Sequence, residues 1–128
     1  MERNHWLLIA SIAGATGVMA GAFGAHGLKD KVSTEMLAIF ETGARYQLLH
    51  ALALLGIAAL SSTWNNRTLN LAGWAFTLGI LIFSGSLYLL VLTSARWWGA
   101  VTPIGGVALI VGWVILGVAG MRRGNRCV

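Results

Sequence analysis

Four long apolar runs separated by short polar stretches dominate the pattern of this chain. The first runs from Trp6 to Leu28 without one Asp, Glu, Lys or Arg. As a helix it would be about 34 Å long, enough to cross a hydrocarbon core of about 30 Å. The second is cleanly apolar from Ala51 to Leu60, with helical character reaching back to about Thr34. The third covers Leu69 to Thr93 and the fourth Pro103 to Met121. None alternates with the period of a strand. Only helices and closed barrels satisfy their backbone groups in lipid, so the runs predict helices. The predicted spans are 6–28, 42–61, 69–93 and 103–121, in one integral membrane domain. A cleaved signal peptide is the rival for the first run, but the run is too long for a signal core.

The connections are short and carry turn chemistry. Lys29 to Glu41 is charged, and Ser33 or Thr34 can cap a helix that begins at Glu35. Met36, Leu37, Ile39 and Phe40 interleave with Glu35 and Glu41, which predicts a short interfacial helix between spans one and two. Ser61 to Thr68 is polar and contains Asn65, Asn66 and Arg67. Thr102 followed by Pro103 reads as a cap with proline at the first helical position. The fold class expected is all-α, a four-transmembrane-helix bundle.

Composition sharpens this picture. Of 128 residues, 57% are hydrophobic and 10% charged, against about 45–50% and about 25% in ordinary soluble domains. The mean hydropathy is +0.75. A soluble enzyme, a disordered chain and a disulfide scaffold are excluded. The net charge of +5 does not point to nucleic acid, because the basic residues are few and sit in short loops. Such loops fit the positive-inside rule. Arg3, Arg67, Arg122, Arg123 and Arg126 fall on one side; Lys29, Lys31 and Arg96 fall on the other, with Arg45 at the start of span two. The expectation is a multi-pass protein of the bacterial inner (cytoplasmic) membrane with both termini cytoplasmic. Trp6, Trp64, Trp97 and Trp98 fall near span ends, where aromatic belts sit. The lone Cys127 cannot form an internal disulfide and reads as an inert tail thiol.

Ala13, Gly17 and Gly21 recur four apart in span one, with Gly24 close to the same face; Gly105 and Gly112 lie in span four. In lipid, small residues let helix backbones approach. Packing within the protomer is the reading favoured over a binding cleft or an oligomer seam. The segment Gly21-Ala-Phe-Gly-Ala-His-Gly27 has no preceding strand and no following Lys-Ser/Thr, so it is no phosphate loop. It predicts a sharp turn that carries His26.

Polar side chains concentrate in span two. Glu41 and Arg45 are one helical turn apart and are expected to form an ion pair. Gly43, Tyr46, Gln47 and His50 fall within an arc of about 100°. His50 reads either as a proton, metal or ligand group or as a neutral histidine bonded to a neighbouring helix, and the second is favoured. Thr77, Ser84 and Tyr88 share one face of span three and read either as hydroxyl glue between helices or as a substrate path, and the first is favoured. Trp113 is central in span four, and its indole N–H wants a partner. His26 and His50 do not make a convincing haem pair, and no zinc spacing is present. No catalytic residues, metal or cofactor are predicted. His26, Tyr46, Gln47, His50, Ser84, Ser86, Tyr88 and Thr102 are expected to line a polar network or pocket toward the outer side.

Residues 21–27, Thr42-Gly43, Tyr46-Gln47, His50, Phe83-Ser-Gly-Ser-Leu-Tyr88, Thr102-Pro-Ile-Gly-Gly106 and Gly112-Trp113 together resemble the YgdD/YwdK family. These are small bacterial inner-membrane proteins. The resemblance spans nearly the whole chain and implies four spans, with no activity attached. The functional expectation is a small structural or accessory protein, not an enzyme, that binds lipid or a partner membrane protein. The alternatives are an oligomeric small-solute or ion transporter or channel component with a site around His26 and His50, and an intramembrane enzyme or redox protein. A homo-oligomer is compatible with each; nucleic acid is not an expected partner.

Overall fold

A computed structural model describes residues 4–64 and 67–125. Arg3, Asn65, Asn66, Arg126 and Cys127, on which some expectations fall, lie outside the described residues. The elements are α1 (His5–Phe23), a π-helical segment (Gly24–Leu28), α2 (Thr34–Ser61), α3 (Arg67–Thr93) and α4 (Trp98–Gly124). Four stretches, His5–Leu28 and the three later helices, are long and apolar enough to cross a membrane. Consecutive helices pack on one another as a four-helix bundle, with α2 and α3 more buried than α1 and α4.

Local chemistry sets the helix starts. The Asn4 Oδ1 accepts from the Leu7 N–H at 3.2 Å and caps α1. The Ser33 Oγ accepts from the Met36 N–H at 3.2 Å and caps α2. From that cap α2 runs unbroken for 28 residues. The interfacial helix expected before span two is therefore not a separate element but the leading turns of α2. No proline interrupts it, and an unbroken helix leaves no backbone groups unpaired near lipid.

α1 ends not in a sharp turn but in the π segment Gly24–Leu28. The two glycines of that segment make room for aromatic rings: a Cβ on Gly27 would lie 2.7 Å from the Phe23 ring, and one on Gly24 would lie 3.0 Å from Phe40. Thr102 is not the cap of α4. The helix opens earlier, with i→i+3 bonds from the N–H groups of Trp98, Gly99 and Ala100, so Pro103 lies inside it. The Thr102 hydroxyl instead donates to the Trp98 carbonyl at 3.2 Å. A proline this close to the start forfeits one helical bond, the one to the Gly99 carbonyl.

The core explains how α1 is held. Trp6, only 1% exposed, is buried with Leu54, Ile57, Leu69, Ala72 and Phe76. It is thus not part of an interfacial belt. A Cβ on Gly73 would stand 2.5 Å from the Trp6 ring, so the glycine opens the slot the indole fills. The indole N–H donates to the Asn70 Oδ1 at 2.9 Å, which removes the cost of burying it. Trp64 stays half-buried beneath the Arg123 guanidinium, 4.9 Å from the ring centre. Trp97 stacks on Trp98 and is exposed. At the opposite end of the bundle Leu28, Phe40, Leu90 and Val91 form a second apolar cluster.

Candidate functional site

Gln47 joins three helices. Its Nε2 donates to the Ala13 carbonyl at 3.0 Å and to the Thr16 Oγ1 at 2.7 Å, both on α1. Its Oε1 accepts from the Tyr88 hydroxyl of α3 at 2.7 Å. Close by, the Ser84 hydroxyl donates to the Gly43 carbonyl at 2.6 Å. Gly43 is glycine for a reason of space, since a Cβ there would lie 2.9 Å from the Tyr88 ring. Helix rise puts Gln47 about 9 Å along α2 from Glu41, and Tyr88 about 8 Å along α3 from Thr93. The polar level is well inside the spans.

His50 belongs to a second linkage. Its Nδ1 lies 2.7 Å from the Tyr46 carbonyl, and the Trp113 indole N–H donates to its Nε2 at 3.1 Å. An N–H donor at Nε2 requires that nitrogen to be unprotonated, so the proton is on Nδ1. The ring is a neutral strut between α2 and α4. Phe76 packs against both His50 and Trp113. Tyr46 stacks near His50, packs on Phe83 and is 39% exposed. A third linkage joins Ser86 Oγ and Thr102 Oγ1 at 2.6 Å between α3 and α4. His26 stands apart from all three, exposed on the π segment.

The expected Glu41–Arg45 ion pair is not formed: both side chains are exposed and no such contact joins them. At an exposed position a pair of this kind is worth about 0–1 kcal/mol, too little to hold two solvated side chains together. Among the described residues every buried side-chain nitrogen and oxygen has a partner. No group of three or more His, Cys, Asp or Glu gathers there.

The small residues divide into two sets. A Cβ on Gly105 would fall 2.3 Å from the Phe83 backbone nitrogen, and one on Gly112 would fall 2.7 Å from the Phe76 ring. Gly17 meets Leu48 at 2.9 Å and Gly24 meets Phe40, while Ala13 is buried. Gly21 faces open space, with nothing within 4 Å of a Cβ. The GxxxG pair therefore packs through only one of its glycines within the protomer.

A cleft lies beside Gln47. α1 and α3 both pack on α2 and are joined by Trp6 at one end; beyond it they flank a cleft of about 460 Å³. Ile9, Ile12, Leu54, Ile80 and Leu81 wall its apolar part, and Thr16, Gln47, Ser84, Gly85 and Tyr88 form the polar end. Ile9 and Thr16 on α1, and Leu54 and Gln47 on α2, are seven residues or about 10 Å apart along the axis. On α3, Ile80 and Leu81 precede Ser84 and Gly85 by one turn, and Thr77, seven residues before Ser84, lines the far part. Ile12 and Leu81, at 55% and 65% exposed, form the rim, so the mouth faces sideways into the bilayer. No charged residue lines it. Thr16 and Gly85 were not singled out for this role from sequence, whereas Thr77 shares the span-three face with Ser84 and Tyr88 that the sequence marks. The available signal was Thr16, the one hydroxyl in the middle of the first apolar run.

A bundle of four apolar helices with an internal polar network defines a multi-pass helical membrane protein. Comparison with known proteins agrees. Residues 20–106 match the family described as "Protein of unknown function (DUF423)", and the chain belongs to that family. It is 44% identical over 117 residues to a UPF0382 membrane protein of Staphylococcus epidermidis, covering 91% of this chain and 95% of the relative. It is 39% identical over 118 residues to the UPF0382 membrane protein YwdK of Bacillus subtilis, covering 91% and 96%. No solved structure matches.

Proposed function

We propose that this protein is a small accessory protein of the bacterial cytoplasmic membrane whose lateral cleft seats one apolar chain of a bilayer amphiphile. The observation that carries this reading is the cleft between α1, α2 and α3, open toward lipid and apolar apart from its Gln47–Tyr88 end and the Thr77 hydroxyl, which is spent on the Gly73 carbonyl. Its volume of about 460 Å³ falls in the range of about 300–1,000 Å³ found for small-molecule sites. Both termini face the cytoplasm in this proposal, because in the sequence Arg3, Arg67, Arg122, Arg123 and Arg126 fall on that side against Lys29, Lys31 and Arg96, with Arg45 at the start of span two, on the other. The polar end of the cleft then lies near the middle of the bilayer, since Thr16 and Gln47 stand close to the centres of His5–Leu28 and Thr34–Ser61. The apolar part, with Ile9 about 6 Å from the start of α1, reaches toward the cytoplasmic side.

Native mass spectrometry of gently extracted protein tests the reading. Gly85 lines the cleft, and a Cβ there meets nothing within 4 Å, so Gly85→Leu places its side chain into the space with its Cβ clear of every neighbour. The wild type should retain one amphiphile per protomer and the variant should lose it. Equal retention by both, or none by either, contradicts the proposal.

A further inference from the structure

The polar end of the cleft has a one-sided hydrogen-bonding character. Each side-chain donor that lines it is already committed. Both Gln47 amide protons go to α1, to the Ala13 carbonyl and the Thr16 Oγ1. The Tyr88 proton goes to the Gln47 Oε1. The Ser84 proton goes to the Gly43 carbonyl and the Thr16 proton to the Ile12 carbonyl; two turns away along α3, the Thr77 proton goes to the Gly73 carbonyl. The helical backbone N–H groups are spent in their own ladders. What remains are acceptor lone pairs on Tyr88 Oη, Thr16 Oγ1, Ser84 Oγ and Gln47 Oε1, since a hydroxyl or amide oxygen accepts two bonds.

A site with acceptors and no free donors selects its ligand by what the ligand can donate. We infer that the occupant of the cleft is a long-chain alcohol of the bilayer, seated with its tail among Ile9, Leu54 and Ile80 and its hydroxyl donating to the acceptors around Tyr88 and Thr16. This rests on the reading that the cleft holds a bilayer chain and names that chain's head. A carboxylate or phosphate would bring acceptors to acceptors. A ketone, ester or quinone carbonyl must first break one of the internal bonds, whereas an alcohol breaks none. An ammonium head could donate, but no carboxylate lines the cleft to offset a charge at this depth.

The test is a matched series competing for the purified full-length protein in nanodiscs, with tritiated hexadecanol as the tracer. The competitors are hexadecanol, its methyl ether and hexadecanoic acid, which keep the chain and change only the head. The alcohol should bind at least about fivefold more tightly than the ether, the equivalent of one ordinary hydrogen bond. Tyr88→Phe should shrink that ratio, and Gly85→Leu should abolish tracer binding. Equal affinity for alcohol and ether, with binding still lost in Gly85→Leu, would overturn the inference while leaving the seated chain in place. Tracer binding that Gly85→Leu leaves intact, or no binding at all, would overturn both.

Discussion

The Gln47 amide and the Tyr88 phenol meet at 2.7 Å across the α2–α3 boundary. The same amide reaches back to α1 through its nitrogen. One side chain thereby closes the polar end of the cleft and ties its three walls together.

Replacing that side chain by an apolar one of similar size removes three interhelical bonds at once. Gln47→Leu should lower unfolding free energy by about 1–2 kcal/mol, given that bonds of this kind average about 0.6 kcal/mol in membrane helices. Reversible unfolding in mixed micelles measures it. An unchanged midpoint would mean the bonds contribute nothing net.

The glycines should separate cleanly by what stands opposite them. Gly105→Ala drives a methyl group against the α3 backbone at Phe83 and should cost about 1–3 kcal/mol or more, as overpacking does. Gly21→Ala meets open space and should be neutral or stabilising by up to about 1 kcal/mol, because alanine is the better helix former. Melting temperatures of the two variants should move in different directions or by clearly different amounts. Similar large losses would place a second helix against Gly21.

The His50 linkage predicts a tautomer. Nitrogen-15 NMR of histidine-labelled protein should show Nδ1 protonated and Nε2 as an acceptor. In Trp113→Phe the Nε2 resonance alone should shift toward that of a free acceptor. Finding the proton on Nε2 in the wild type would contradict the Trp113 bond.

Glu41 and Arg45 lie outside this framework. Arg45→Gln should change stability by no more than about 0.5 kcal/mol, as surface substitutions do. A larger loss in the same micelle titration would show that the charge has a partner.

Much of the architecture is legible in the sequence, because length and hydropathy suffice to mark four spans. The residues Tyr46, Gln47, His50, Ser84, Ser86, Tyr88 and Thr102 stand out for their polarity within apolar runs. Their partners do not. Gln47 bonds a backbone carbonyl and a threonine on α1, and His50 bonds Trp113; neither pairing follows from spacing within one helix. In lipid, outward and inward faces are both apolar, so periodicity does not say which glycines meet a neighbour. Gly17 and Gly21 look alike in sequence and differ entirely in surroundings. His26 shares the composition of the polar set, but the π segment leaves it exposed. Trp6 reads as interfacial by position, and the slot at Gly73 buries it.

Photocrosslinking tests the central claim most directly. Cells fed a long-chain alcohol carrying a mid-chain diazirine would be irradiated, and the purified protein mapped by peptide mass spectrometry. Adducts concentrated on Ile12, Ile80 and Leu81, and lost in Gly85→Leu, are the predicted result. Adducts spread evenly over lipid-facing residues such as Leu52, Ile110 and Val114, with no change in the variant, would contradict it.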